Sequence, residues 1–192
     1  NRRIPGVAVL GAIAIMQAIS GTMNILFVHQ NFPGQFKHLA LALAKQGHTV
    51  AALGVNAMAV PMPGVRHLIH QPRPVRADRS GAAPMPLRAL QGHLAYGESA
   101  AQAMTSMANE GFTPDVVFAH SGWGEALFVK DVFPSARLLV YAEYFYGSPG
   151  GDFGFDPEFS LPSAAGRRAI RIKNTHLLHA LSAADALLSP TE

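Results

Sequence analysis

The sequence predicts an α/β fold with a doubly wound parallel sheet, and three observations point there. From Met23 onward short apolar runs alternate with segments of helical periodicity, the pattern of parallel βαβ units. About six strand-like runs can be counted with helices between them. The 192 residues are 49% hydrophobic and only 14% charged, which suits one compact domain with a well-buried core.

The elements follow in order. Residues 24–29 read as a buried first strand. Phe36, Leu39, Ala40 and Leu43 fall at i, i+3, i+4 and i+7, so a helix follows with its apolar stripe toward the sheet, and Gly47 stops it. Residues 49–53 give a second strand and 65–69 a third. The stretch 71–86 holds four prolines and scattered arginines and reads as a long surface loop. A helix rich in Ala and Met is expected over 87–110, closed by Gly111. Pro114 and Asp115 lead into the strand 116–119, which ends at His120. A helix over 124–132, a strand over 137–142, a Gly/Pro-rich loop over 147–163, a helix over 166–183 and a last strand over 185–188 complete a Rossmann-like sheet. The end at Ser189-Pro190-Thr191-Glu192, directly after a strand, reads as a cut.

Residues 1–22 stand apart. Asn1-Arg2-Arg3 before an apolar stretch of about 13 residues imitates a signal peptide, yet that stretch is short for a bilayer span. A signal peptide, a membrane-associated helix and translation upstream of the true start compete. The last is favoured because Met23 immediately precedes the first strand, so the domain is expected over 23–192 behind a non-native or upstream-translated leader.

Charge and cysteine usage exclude several classes. A net charge of +3 with no clustered basic run argues against a nucleic-acid partner. The chain has no cysteine, which removes disulfides and thiolate metal sites and fits a reducing compartment. Asp152 and Asp156 share their loop with no histidine pair or carboxylate grid, so no metal is expected. No G-x-S-x-G nucleophile motif occurs. A dinucleotide site would want G-x-G-x-x-G after the first strand and an acidic residue ending the second, and neither is present, which disfavours an NAD-dependent oxidoreductase.

Ligands of open parallel sheets bind beyond the carboxyl ends of the strands, near the switch point between the first strand and the fourth. Two segments are expected to meet there, His29-Gln30-Asn31-Phe32-Pro33-Gly34-Gln35-Phe36 and His120-Ser121-Gly122-Trp123-Gly124-Glu125, with Glu143-Tyr144-Phe145-Tyr146-Gly147 on the same edge. In the first loop Asn31 is expected to cap the helix, Pro33 to sit in its first turn and Gly34 to let a ligand approach the backbone. A plain strand-to-helix turn is the equal alternative, with Phe32 and Phe36 anchoring the loop to the core. In the second, His120 ends a strand, Gly122 and Gly124 keep the backbone open, Trp123 offers a stacking face and Glu125 falls in the first helical turn. The alternative is a core tryptophan, a capping acid and a satisfied edge histidine. Glu143 could bind a hydroxylated ligand or only neighbouring backbone. Arg167, Arg168, Arg171 and Lys173 read as a solvated helix face, with phosphate or anionic lipid contact the lesser reading.

Five segments taken together, "MNILFVHQNFPGQFKHLA", "HSGWGEALFVKDVFP", "LLVYAEYFY", "FDPEF" and "ADALLSPTE", resemble the N-terminal domain of a bacterial family 4 glycosyltransferase, one half of a GT-B architecture. The resemblance covers 23–192. It implies retaining, metal-independent transfer of a sugar from a nucleotide sugar to an acceptor hydroxyl, in a cleft between two Rossmann-like domains. The N-terminal domain shapes the acceptor side, while a C-terminal donor-binding domain, missing here, holds most of the nucleotide and a pair of glutamates. The chain alone is therefore expected to be inactive. Carried onto this sequence, the resemblance makes His120 the catalytic residue, orienting a hydroxyl and stabilising charge. It also brings the loop around Gly34 to the donor diphosphate or the sugar, and with the residues already placed at the ligand edge the expected substrate-binding set is Asn31, Gly34, Gln35, Trp123, Gly124, Glu125, Glu143 and Tyr144. The loop departs from the family pattern in having Pro33-Gly34 and no second glycine. No cofactor is implied beyond the nucleotide-sugar substrate. The implied partners are that donor, a glycan or lipid-linked acceptor and the missing domain, in the cytoplasm or peripherally at the inner face of the membrane. The alternative is a non-catalytic α/β module that binds a phosphorylated or sugar ligand.

Overall fold

Six parallel strands form one sheet in the order β3-β2-β1-β4-β5-β6 in the computed structural model, which describes residues 21–57, 60–74, 85–147 and 163–190. They are β1 (Asn24–Val28), β2 (Thr49–Gly54), β3 (Val65–Ile69), β4 (Val116–His120), β5 (Arg137–Tyr141) and β6 (Ala186–Leu188). The strand order reverses direction between β1 and β4, where Phe27 pairs with Phe118 and Val28 with Ala119. That is the switch point of a doubly wound Rossmann-like fold.

The central strands are apolar because both their faces are covered, and alternate side chains serve opposite faces. Leu26 and Val28 of β1 join Leu53, Val117 and Leu138 in one cluster, with Met104 and Met107 from the helix α2 (Met85–Asn109). Ile25 and Phe27 face the other way and pack with Phe32, Phe36, Phe118 and Leu43, the last from α1 (Lys37–Lys45). Phe27 stacks on Phe118 with ring centroids 5.1 Å apart, and Phe32 and Phe36 lie buried against it. The two aromatics of the first loop thus anchor it, as expected.

Glycines stop α1 and α2 as expected. At the end of α1 the Gly47 amide donates to Ala44 O and the His48 amide to Leu43 O, with Gly47 at φ +88°. The same paired bonds close α2 through Gly111 and Phe112.

Three local expectations are corrected. Asn31 does not cap a helix: a 3-10 turn, Gly34–Phe36, precedes α1 and neither start carries a side-chain cap. The helix expected over 124–132 shrinks to α3 (Val129–Val132). Gly124 there takes φ +109°, and a Cβ on it would lie 2.1 Å from the His93 carbonyl oxygen, so the chain turns against α2 instead of coiling. The helix expected over 166–183 divides into α4 (Ala164–Lys173) and α5 (Thr175–Ala183) at Asn174. That buried side chain bonds both the amide and the carbonyl of Tyr146.

The leader expectation over 1–22 falls, apart from its last two residues, outside the described residues, as do Asp152, Asp156 and most of the loops expected over 71–86 and 147–163. No helix among the described residues is long and apolar enough to cross a membrane.

Candidate functional site

Both strands at the switch point run into a histidine at their carboxyl ends. His120 closes β4, and His29 follows β1, its amide donating to Leu53 O of β2. The two rings are almost wholly buried and meet edge to face, 4.9 Å between centroids.

Backbone amides fix their tautomers. Asn31 N donates to His29 Nδ1 at 2.9 Å, and Gly122 N donates to His120 Nδ1 at 2.9 Å. A nitrogen that accepts carries no proton, so each neutral ring holds its hydrogen on Nε2. His29 Nε2–H then donates to Gln35 Oε1 at 2.7 Å, and His120 Nε2–H donates to Glu143 Oε2 at 2.9 Å. The amide of Gln35 closes the chain by donating to Glu143 Oε1 at 2.9 Å. Two imidazoles, one carboxamide and one carboxylate are thereby matched donor to acceptor.

Glycines make room for this arrangement. Gly34 sits at φ +43°, and a Cβ there would lie 2.5 Å from His29 Nε2. At Gly122 a Cβ would meet His120 Cε1 at 2.8 Å. The single glycine of the first loop therefore serves the His29 ring, a role not visible in the sequence.

The electrostatics follow from burial and bonding. Desolvation pulls His29 down to about 4 despite its bond to Gln35. Desolvation also lowers His120, with its bond to Glu143 pushing back. Amides aimed at both Nδ1 atoms oppose a second proton in the same direction. Glu143 is held below the usual carboxylate range by the His120 hydrogen bond, and its side chain is 41% exposed. At neutral pH the site offers one solvent-facing carboxylate flanked by two neutral N–H donors. With its Nε2–H on Glu143 and its Nδ1 accepting from the Gly122 amide, His120 has neither nitrogen free to act as a base.

Around this network Trp123 lies 4.7 Å from the His120 ring and 5.7 Å from His29. A cavity of about 170 Å³ opens here, walled by His120, Gly122, Trp123, Glu143, Tyr144 and Tyr146 among others. Tyr146 also borders a larger cavity of about 760 Å³, lined by Arg167, Arg168 and Arg171 of α4 with Phe145 and Leu178. Among the described residues no three His, Asp or Glu side chains are grouped to hold a metal ion.

Of the residues expected at the site, the structure brings together His120, Gly34, Gln35, Trp123, Glu143 and Tyr144. It separates three. The Asn31 side chain is exposed and only the residue's amide takes part. Gly124 presses on the His93 carbonyl. Glu125 is not in a first helical turn and is not open to ligand: it is 1% exposed, with Oε1 3.8 Å from His70 Nε2 and no hydrogen bond to that oxygen. Burial raises Glu125 to about 7 and lowers His70 to about 4. The expectations for Asn31 as a cap and for Glu125 at the ligand edge are thus corrected.

His29 was missed. Its signal was positional, a histidine directly after the first strand in the place that His120 holds after the fourth.

Residues 46–192 match the family model of the glycosyl transferase family 4 group. No curated protein matches the chain in sequence. Among solved structures, Phytolacca americana UGT2 complexed with UDP-2-fluoro-glucose and pterostilbene is similar at 14% identity and a TM-score of 0.52, covering 91% of this chain and 49% of that one. The catalytic domain of Arabidopsis thaliana starch synthase IV, bound to ADP and acarbose, is similar at 12% identity and a TM-score of 0.42, covering 64% of this chain and 34% of that one. The chain spans between about a third and a half of the length of these structures.

Proposed function

The chain belongs to the glycosyl transferase family 4 group, and from that premise we propose that it is the acceptor-side domain of a retaining glycosyltransferase that moves a sugar from a nucleotide sugar to an acceptor hydroxyl. The observation that carries this reading is the closed network His29–Gln35–Glu143–His120 at the switch point, with a carboxylate open to solvent beside a tryptophan.

In this reading Glu143 accepts from a non-reacting hydroxyl of the acceptor, whose ring lies against Trp123. On donor binding His120 Nε2–H turns from Glu143 to a hydroxyl of the transferred sugar or to the charge that develops beside it. The diphosphate of the donor approaches Gly34 and Gln35, whose amides lie in the first turn and have no intrahelical acceptor. The bond from the anomeric carbon to the diphosphate oxygen breaks. The acceptor oxygen bonds that carbon on the same face, and its proton leaves with the diphosphate.

Most nucleotide contacts, including two spaced glutamates, belong in this reading to a second Rossmann-like domain that completes the cleft, and the unit 23–192 does not transfer sugar by itself. The arginine-lined cavity beside Tyr146 favours an acceptor that carries phosphate or a lipid-linked phosphate, met in the cytoplasm or at the inner membrane face. No metal or cofactor takes part.

Two experiments test the reading. The gene downstream of Glu192 should encode a second such domain with two spaced glutamates; a stop codon there would favour a non-catalytic sugar-binding module. The purified 192-residue chain should bind nucleotide sugars weakly and transfer none, and turnover by it alone would overturn the division of roles.

A further inference from the structure

Two histidines outside the network hold the loop that carries Trp123. His93 of α2 and His176 of α5 stack face to face, 3.6 Å between centroids and 17° between planes. His176 Nε2 lies 2.9 Å from Gly122 O, and His93 Nδ1 lies 3.2 Å from Trp123 O. A carbonyl oxygen only accepts, so both nitrogens carry protons and donate. Successive carbonyls of one loop are thus capped by a stacked pair drawn from two helices.

The same peptide run reaches the site. Gly122 accepts from His176 through its carbonyl and donates to His120 Nδ1 through its amide. The amide sets the His120 tautomer, which sends Nε2–H to Glu143. On the other side of Trp123, Gly124 lies so close to the His93 carbonyl that only glycine fits. The clamp is built for neutral rings, since two imidazolium rings stacked 3.6 Å apart would repel. Burial lowers both histidines, His176 to about 4, and the charge of Lys173 acts in the same direction.

We propose that His93 and His176 are positioning residues that fix the Gly122-Trp123 peptide and, through the Gly122 amide, the tautomer and orientation of His120. Their effect on turnover rests on the glycosyltransferase reading, whereas the positioning itself does not. Trp123 is the only tryptophan of the chain, so its fluorescence reports the loop directly.

The test compares His93→Ala and His176→Ala with His93→Asn and His176→Gln, whose side-chain amides keep a donor near the lost ring nitrogen. Trp123 emission and acrylamide quenching report the loop, histidine ¹⁵N shifts report the His120 tautomer, and far-UV circular dichroism reports the fold. The alanine variants should retain the fold, expose Trp123 to quencher with a red-shifted emission, and move His120 off the pure Nε2–H tautomer. The amide variants should stay near the parent chain. Folded alanine variants with unchanged quenching and an unchanged His120 tautomer would overturn the proposal. If the alanine variants unfold, the amide variants decide: perturbation equal to a released loop contradicts the donor role, and parent-like values support it. No readout uses a substrate, so failure here is distinct from failure of the glycosyltransferase reading.

Discussion

His120 and Glu143 meet at 2.9 Å with the carboxylate 41% exposed, whereas His70 and Glu125 stop at 3.8 Å with both side chains almost wholly buried. Both pairs lie toward the same edge of the sheet, yet their electrostatics run in opposite directions. Glu143 accepts from His120 and Gln35 and keeps its charge below the usual carboxylate range. Glu125 has an oxygen with no partner and is pushed up to about 7. A histidine beside a glutamate is therefore not by itself a charged pair. Hydrogen-bond completion and access to water decide whether the carboxylate stays ionised and can meet a ligand.

Acidification should separate the two regions most strongly. Glu125 favours folding below its raised value: as pH rises from 4.5 to about 7 the unfolded chain has released a proton that the folded chain keeps, and stability falls. His70, lowered to about 4, acts oppositely, losing stability as pH falls from 6.5 through about 4, so the two slopes oppose each other across their shared window. His29 and His176 are also held at about 4 after the upward pull of their hydrogen bonds, and no acid raised by burial is among the contacts that shift them. Each should destabilise the fold by roughly 3 kcal/mol over that fall. Urea unfolding at pH 7 and pH 4.5 measures the loss, and His29→Gln should reduce it.

Removing one member from each pair should then split activity from stability. His120→Ala is expected to lower turnover of the full-length enzyme by roughly a hundredfold, more than it lowers folding stability. Equal activity at equal fold content would make His120 structural. Glu125→Gln should raise stability at pH 8 by about 2 kcal/mol, because the buried carboxylate no longer has to ionise, with little gain at pH 5. Thermal melts at the two pH values measure that difference.

Two smaller effects sharpen the contrast. Gly34→Ala forces a side chain into a left-handed conformation against the His29 ring and should cost about 2 kcal/mol, read by denaturant melts. Glu143→Gln should change stability by less than about 1 kcal/mol, since the carboxylate is partly exposed and water can replace its partner.

Much of this architecture was legible in the residues. All six strands lie where short runs between Gly and Pro signals put them, and β1, β2, β4 and β5 are the clearest because a strand buried on both faces leaves a continuous apolar run in the sequence. The meeting of the 29–36 loop with 120–123 and Glu143 followed from the switch-point rule alone. What failed were features set by contacts distant in sequence. Glu125 looked like a helix acid, but Gly124 takes φ +109°, a conformation and a fit against the His93 carbonyl that only glycine allows, and the chain turns there and sends Glu125 inward. Asn174 divides a helix through its bonds to Tyr146, 28 residues earlier, and periodicity carries no trace of that. Gly34, read for the approach of a ligand to the backbone, is also required by the His29 ring, a contact that leaves no mark in the sequence.

The most direct test of the His29–Gln35–Glu143–His120 network as the ligand-contacting centre is a histidine-selective ¹⁵N NMR titration of the chain, with a nucleotide sugar and then free saccharides. The account predicts that His29 and His120 shift with ligand, that His70 stays fixed, and that Glu143→Gln weakens the response. Shifts at His70 with His29 and His120 unmoved, or a titration indifferent to Glu143→Gln, would contradict it.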